Sequence, residues 1–286
     1  MASFVVYSYQ FSPLTEERML SLFSEDEIDS NQVWKNKQAL FRDWFKKDLH
    51  FKHRQSTFDH ELIYDENGLI VFKLANNKHI VQESGFVAKK LDHKPSCIVL
   101  IDNRINVQNI YIEKDDYSFS DTDVVRNILE DTFNSYLKGL RLHIEIKKRY
   151  KASEFWEIVE SAESGIGMVR FCYQYPNLPD VQAKIDKVLS NASREVCSKQ
   201  TQIEFNAGHG ESLHLSKDNK NLNDLVEASS ETGNEITFKI NGISKYRKVG
   251  DTVEMVEIDN IEMSLSSDLL QTRSQKLLKI INMFKH

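Results

Sequence analysis

The chain has 286 residues and carries 43 acidic against 37 basic side chains, a formal net charge of −6. That balance excludes a globally basic nucleic-acid binder, so any polyanion site must be a local feature. The three cysteines, Cys97, Cys172 and Cys197, lie far apart with no CxxC spacing, which argues against a disulfide framework and fits a reducing compartment.

The length suggests two domains. The first residues, MASFVVYSYQF, hold no basic segment followed by a long apolar run, so no secretory leader is expected and the cytoplasm is the expected location. No stretch approaches the roughly 18 apolar residues of a membrane span.

Residues 4–11 (FVVYSYQF) are β-branched and aromatic and predict a first strand. Leu14, Met19, Leu22 and Phe23 predict a short helix over 15–23, followed by a polar loop over 24–30. A second helix over 33–45 places Val33, Trp34, Leu40, Phe41, Trp44 and Phe45 mostly on one stripe. Strands over 60–64 and 69–74 flank Asn67-Gly68, a hairpin signal because the turn demands positive φ. Residues 79–83 suggest another strand. Strands over 98–102 and 107–113 are joined by Asn103-Arg104-Ile105-Asn106, and short strands with tight turns favour an antiparallel sheet.

Residues 120–139 predict the clearest helix, with Ser120 as N-cap, Asp121 and Asp123 in the first turn and Gly139 just past the end. A strand over 140–146 alternates apolar and polar residues, and 153–159 predict a short helix. Ser164-Gly165-Ile166-Gly167 marks the expected boundary between domains 1–163 and 164–286. Beyond it come strands over 168–174, 201–205, 236–240 and 252–258, and helices over 180–197, 222–229 and 265–284. The fold class expected is α+β with two lobes. A mainly antiparallel sheet with helices on one face precedes a smaller α/β lobe closed by a C-terminal amphipathic helix, which either fills the core or forms a dimer seam.

No nucleophile elbow, phosphate loop or cysteine cluster is present. Glu145 and Lys147, two apart on a strand, share a face and could join Asp131 or Asp102 around Mg²⁺ in a metal-dependent nuclease, although such a pair also suits the polar face of an edge strand. His50, His53 and His60, and His209 with His214, lack the spacing of a rigid metal site. No cofactor or catalytic residue is therefore assigned. Positive charge clusters instead. One run holds Lys46, Lys47, Lys52 and Arg54, a second Lys89, Lys90 and Lys94, a third Lys147, Lys148, Arg149 and Lys151, and a fourth Lys239, Lys245, Arg247 and Lys248. Acidic residues gather elsewhere, at 25–29, 115–116 and 254–262, so a basic face on an acidic protein is one outcome and separate solvated faces the other.

The order of parts, from the FVVYSYQF strand through the ELIYDENGLIVFKL hairpin and the CIVLIDNRINVQNIYIE pair to the SDTDVVRNILEDTFNSYL helix, resembles that of RexA-like phage-exclusion proteins and KwaB-type subunits of anti-phage systems. The likeness is one of architecture, without a short signature motif. It implies a non-enzymatic, oligomeric, DNA-binding defence component, with a partner subunit as a further expectation. On this basis the expected ligand is duplex DNA, held through its phosphates without sequence readout. The expected contacts are Lys46, Lys47, Lys52, Arg54, Lys147, Lys148, Arg149 and Lys151, with Arg104 as a further candidate. An adaptor that recognises a phage protein through an exposed sheet edge is the remaining alternative.

Overall fold

The structure, a computed structural model, describes residues 2–13, 33, 35–45, 49–84, 87–174 and 200–258. The helices expected over 15–23, 180–197 and 265–284, the last being the C-terminal amphipathic helix, lie outside the described residues.

The first lobe is an antiparallel sheet built around β1 (Ala2–Pro13). In spatial order its strands run β14 (Met255–Ile258), β1, β8 (Asn109–Glu113), β7 (Ser96–Asp102), β4 (Leu69–Ala75), β3 (Ser56–Glu66) and β2 (Phe51–His53). A further strand, β9 (Leu142–Lys148), pairs with β1 on the edge it shares with β14. Strand β1 is long enough for this: residues 2–5 meet β14 and residues 7–13 meet β9.

Alternation along β1 decides what each face does. Val5, Tyr7, Tyr9 and Phe11 point to one side, where α1 (Lys37–Phe45) and α2 (Thr122–Leu137) cover them. Phe41 sits in that core with no exposed surface, its ring 4.9 Å from Phe133 and 5.6–5.7 Å from Tyr9, Phe11 and Phe45. Phe4 and Val6 point to the other side, into a smaller apolar cluster with Leu69, Val71, Leu100 and Tyr111. The fold is α+β, as expected, with both described helices of this lobe against one face.

Local signals explain most elements. Asn67 and Gly68 both take positive φ, +52° and +80°, the geometry of a two-residue turn between β3 and β4. The N-cap of α2 is Asp121, one residue beyond the expected Ser120, because the Asp121 carboxylate accepts from the Asp123 N–H. Gly139 does not provide a left-handed cap. The helix tightens into a 3-10 turn over Lys138–Leu140, and Arg141 takes the positive φ at +55°. A two-stranded ribbon, β5 (Lys78–Ser84) with β6 (Val87–His93), carries Lys89 and Lys90 on a strand that lacked a clear apolar pattern.

The second lobe is a four-stranded antiparallel sheet ordered β11 (Gln200–Asn206), β10 (Ile166–Gln174), β12 (Ile236–Ile240) and β13 (Arg247–Lys248). Its core joins Val169, Phe171 and Phe238 to Phe155 and Ile158 of α3 (Ser153–Ser161) and Val226 of α4 (Lys220–Thr232). The division of cores therefore does not coincide with residue 164. Helix α3 packs with the strands that follow it, and β14 returns to the first sheet. The chain passes between lobes where Arg149 N–H donates to Val6, Glu254 N–H to Arg149 and Lys151 N–H to Thr252.

Two contacts fix that crossing. The Glu154 carboxylate, nearly buried, accepts the N–H groups of Gly250, Asp251 and Thr252 at 2.8–3.0 Å. Gly233, at φ +65°, caps α4, and a Cβ there would lie 2.6 Å from the Lys148 carbonyl. No helix among the described residues is long and apolar enough to cross a membrane.

Candidate nucleic-acid interface

The cations expected to contact phosphate meet different fates. Arg104 is held by Asp102, its Nε 2.8 Å from one oxygen and its Nη2 against the other, and the Asp102 side chain is fully buried. Such a forked pair fixes the turn between β7 and β8 and removes Arg104 as a free phosphate ligand. Lys148 sits 2.8 Å from Asp123 in the first turn of α2 and 5.8 Å over the Tyr7 ring. Arg149 pairs with Glu254, the residue before β14, at 2.8 Å. Lys147 donates to Asn234 at 3.0 Å and lies 3.5 Å from Glu145. The run from Lys147 to Arg149 is thus neutralised inside the molecule, because a strand places each side chain beside a neighbouring element. Lys151, just beyond it, is exposed.

Lys46 and Lys47 lie outside the described residues. Lys52 and Arg54 are exposed at the turn between β2 and β3. That turn docks on α2, where Lys52 N–H donates to Thr132 and His53 Nδ1 lies 2.6 Å from Asp131.

The same pairings answer the nuclease expectation. Asp131 faces His53 and Asp102 is buried against Arg104, so neither completes a site with Glu145 and Lys147. Among the described residues no group of three or more His, Cys, Asp or Glu side chains is placed to hold a metal ion. Glu145 and Lys147 instead line a cleft of about 460 Å³ between the lobes, where Arg126, Lys147 and Lys148 face Asp123, Glu130 and Glu235.

The turn from 241 to 248 behaves differently. Its base is pinned on every side. Asn241 N–H donates to Gly165, Ser164 Oγ donates to the Asn241 carbonyl at 2.7 Å, and the Asn241 amide reaches Ser212 at 2.9 Å. At the far end Thr237 and Phe238 pair with Lys248 and Arg247, Lys248 meets Glu235 at 2.6 Å, and Val249 is buried. Between these anchors Ile243, Ser244, Lys245 and Tyr246 stand in solvent, and the Arg247 side chain, at the start of β13, is exposed beside them. Lys239 braces the tip, donating to the Ser244 carbonyl at 2.6 Å with its Nζ 5.2 Å from the Tyr246 ring centre. Among the described residues no ion pair involves Lys245 or Arg247.

The sequence shows this turn as a basic cluster, yet it was not among the expected contacts. Asn241-Gly242 and the basic residues after it read as a turn between two strands; what the sequence does not show is the anchoring that leaves Lys245 and Tyr246 at the tip, with Arg247 and Lys248 on the short strand β13. Gly242 takes φ +76°, as that turn requires. Comparison with family models, curated proteins and solved structures finds no match to this chain.

Proposed function

We propose that the protein binds nucleic acid through its phosphates, without reading sequence, and that the 241–248 turn is the principal contact. The observation that carries this is the pair Lys245 and Arg247, both exposed on a rigidly anchored tip and without a carboxylate partner among the described residues. Ordered cations cost less to immobilise on binding than cations on a mobile loop. Lys52, Arg54 and Lys151 extend the set of exposed charges, while Arg104, Lys147, Lys148 and Arg149 are structural. The likeness to phage-exclusion proteins supports an antiviral setting, with duplex DNA as a ligand and a partner subunit or second copy in the assembly.

The test is an oligonucleotide-binding titration at several salt concentrations. Wild type is expected to bind with affinity falling steeply as salt rises. Lys245→Glu/Arg247→Glu should weaken binding at least tenfold across unrelated sequences. Neutral replacement of both by Ala should flatten the log–log salt slope by about 1.4–1.8, the release expected for two phosphate contacts. Equal binding by the double charge reversal and wild type would remove the turn from the interface.

An adaptor role has its own support in β11, which among the described residues pairs only with β10 and leaves Gln202, Glu204 and Asn206 exposed. An extended peptide from a partner could add there as a further strand. Co-purification of a stoichiometric protein partner, with no nucleic acid in the absorbance spectrum, would favour that role.

A further inference from the structure

The geometry points to Tyr246 as a stacking platform for an unpaired base, so that the nucleic acid this turn prefers is single-stranded; this rests on the turn being a phosphate-binding element. Tyr246 is 57 % exposed, although burial of an aromatic ring is ordinarily favourable. The ring is nonetheless held in place. Val249 and Ile240 are each 5 % exposed and anchor the two ends of the segment. Lys239 approaches the ring while its Nζ is tied to the Ser244 carbonyl. A ring braced in this way loses little freedom when a base settles on it.

The neighbours suit a strand of nucleic acid. Lys245 and Arg247 flank the ring in sequence, and their long side chains can reach phosphates on either side of a stacked base. Arg247 can also stack through its guanidinium plane. Ile243, 49 % exposed, adds apolar surface on the same tip. Tyr117 is more exposed still, at 68 %, but it follows Asp115 and Asp116, whose charges repel phosphate. Exposure alone therefore does not single out Tyr246; its cationic surroundings do. A duplex offers base faces only at its ends, so it can use the lysine and arginine but not the ring.

The experiment measures anisotropy of a labelled oligodeoxythymidine of about 16 nucleotides and of a blunt duplex of equal length, against wild type, Tyr246→Ala and Tyr246→Phe. Wild type should bind the single strand about tenfold more tightly than the duplex. Tyr246→Ala should lower single-strand affinity about tenfold and duplex affinity less than twofold, while Tyr246→Phe, which keeps the ring, should match wild type. The stacking role is overturned if Tyr246→Ala leaves the ratio of single-strand to duplex affinity unchanged. If wild type binds neither probe at low salt, the phosphate-binding reading itself fails, and the two failures are distinct.

Discussion

Lys147-Lys148-Arg149 and Lys245-Tyr246-Arg247-Lys248 look alike as runs of positive charge, but the fold treats them in opposite ways. The first run closes β9, which among the described residues pairs only with β1, and its side chains meet elements packed around that strand end. There Asp123 arrives from α2, Glu254 from just before β14 and Asn234 from the cap of α4, and each cation is matched. The second run turns a corner at the edge of a sheet. Among the described residues only Lys248 of this run meets a carboxylate, and the side chains from Ile243 to Arg247 are exposed. A cation in a strand is available to a ligand only where its neighbours leave it so, whereas a cation on an anchored turn is available by position.

The contrast breaks most completely if the turn loses its anchor. Glu154 holds the N–H groups of Gly250, Asp251 and Thr252, one residue beyond β13. Glu154→Ala takes a charged acceptor from all three N–H groups and should cost about 3 kcal/mol of stability. Chemical denaturation measures that loss. Binding of oligonucleotide by the folded fraction should also weaken, because the tip no longer starts from a fixed position. Glu154→Gln keeps an acceptor oxygen and should fall between Ala and wild type.

The next largest effect separates structural from available charge. Lys148→Glu/Arg149→Glu sets carboxylates against Asp123 and Glu254 and should destabilise the protein by about 2 kcal/mol, with oligonucleotide affinity of the folded protein changed less than twofold. The matching reversal at Lys245 and Arg247 should do the opposite. Its stability should stay within about 0.5 kcal/mol of wild type while affinity falls. If both pairs alter stability alone, the exposed turn is a solvated surface and nothing more.

These fates were unequally legible in the sequence. The Asn67-Gly68 hairpin, the apolar stripe of α2 and the alternation of β9 follow from local chemistry, and each could be read before the fold was known. The partners of Arg104, Lys148 and Arg149 could not. Asp123 lies 25 residues before Lys148, and Glu254 lies far beyond Arg149, so only the assembled sheet brings them together. The same holds for α3. Its apolar face is plain in Phe155, Trp156 and Ile158, but nothing local shows that it packs with strands that come later. The 241–248 turn was half visible: its charge could be read, and its anchoring could not, because that depends on Gly165 and Ser212 approaching from other loops.

The smallest expected effect tests a carboxylate on the unmatched side of the same balance. Asp121, capping α2 near Lys148, is held below the usual carboxylate range, chiefly by the Asp123 N–H and in part by that lysine. Glu113 goes the other way. Burial raises its pKa above the ordinary 4.5 and Asp115 adds to the rise, while the Ile98 N–H and Lys73 offset only part of it. A carboxyl with a raised folded-state pKa favours folding when protonated. That contribution is fully present below pH 4.5 and is lost as pH rises through the folded value. At pH 7 the ionised Glu113 is therefore a burden on the fold. Glu113→Gln removes the charge and keeps an oxygen for the Ile98 N–H, so it should raise the melting temperature at pH 7 by on the order of 1 °C. The gain should shrink towards zero below pH 4, where wild type is itself protonated. A gain that persists unchanged at pH 3.5 would assign the effect to packing of the amide rather than to the buried charge.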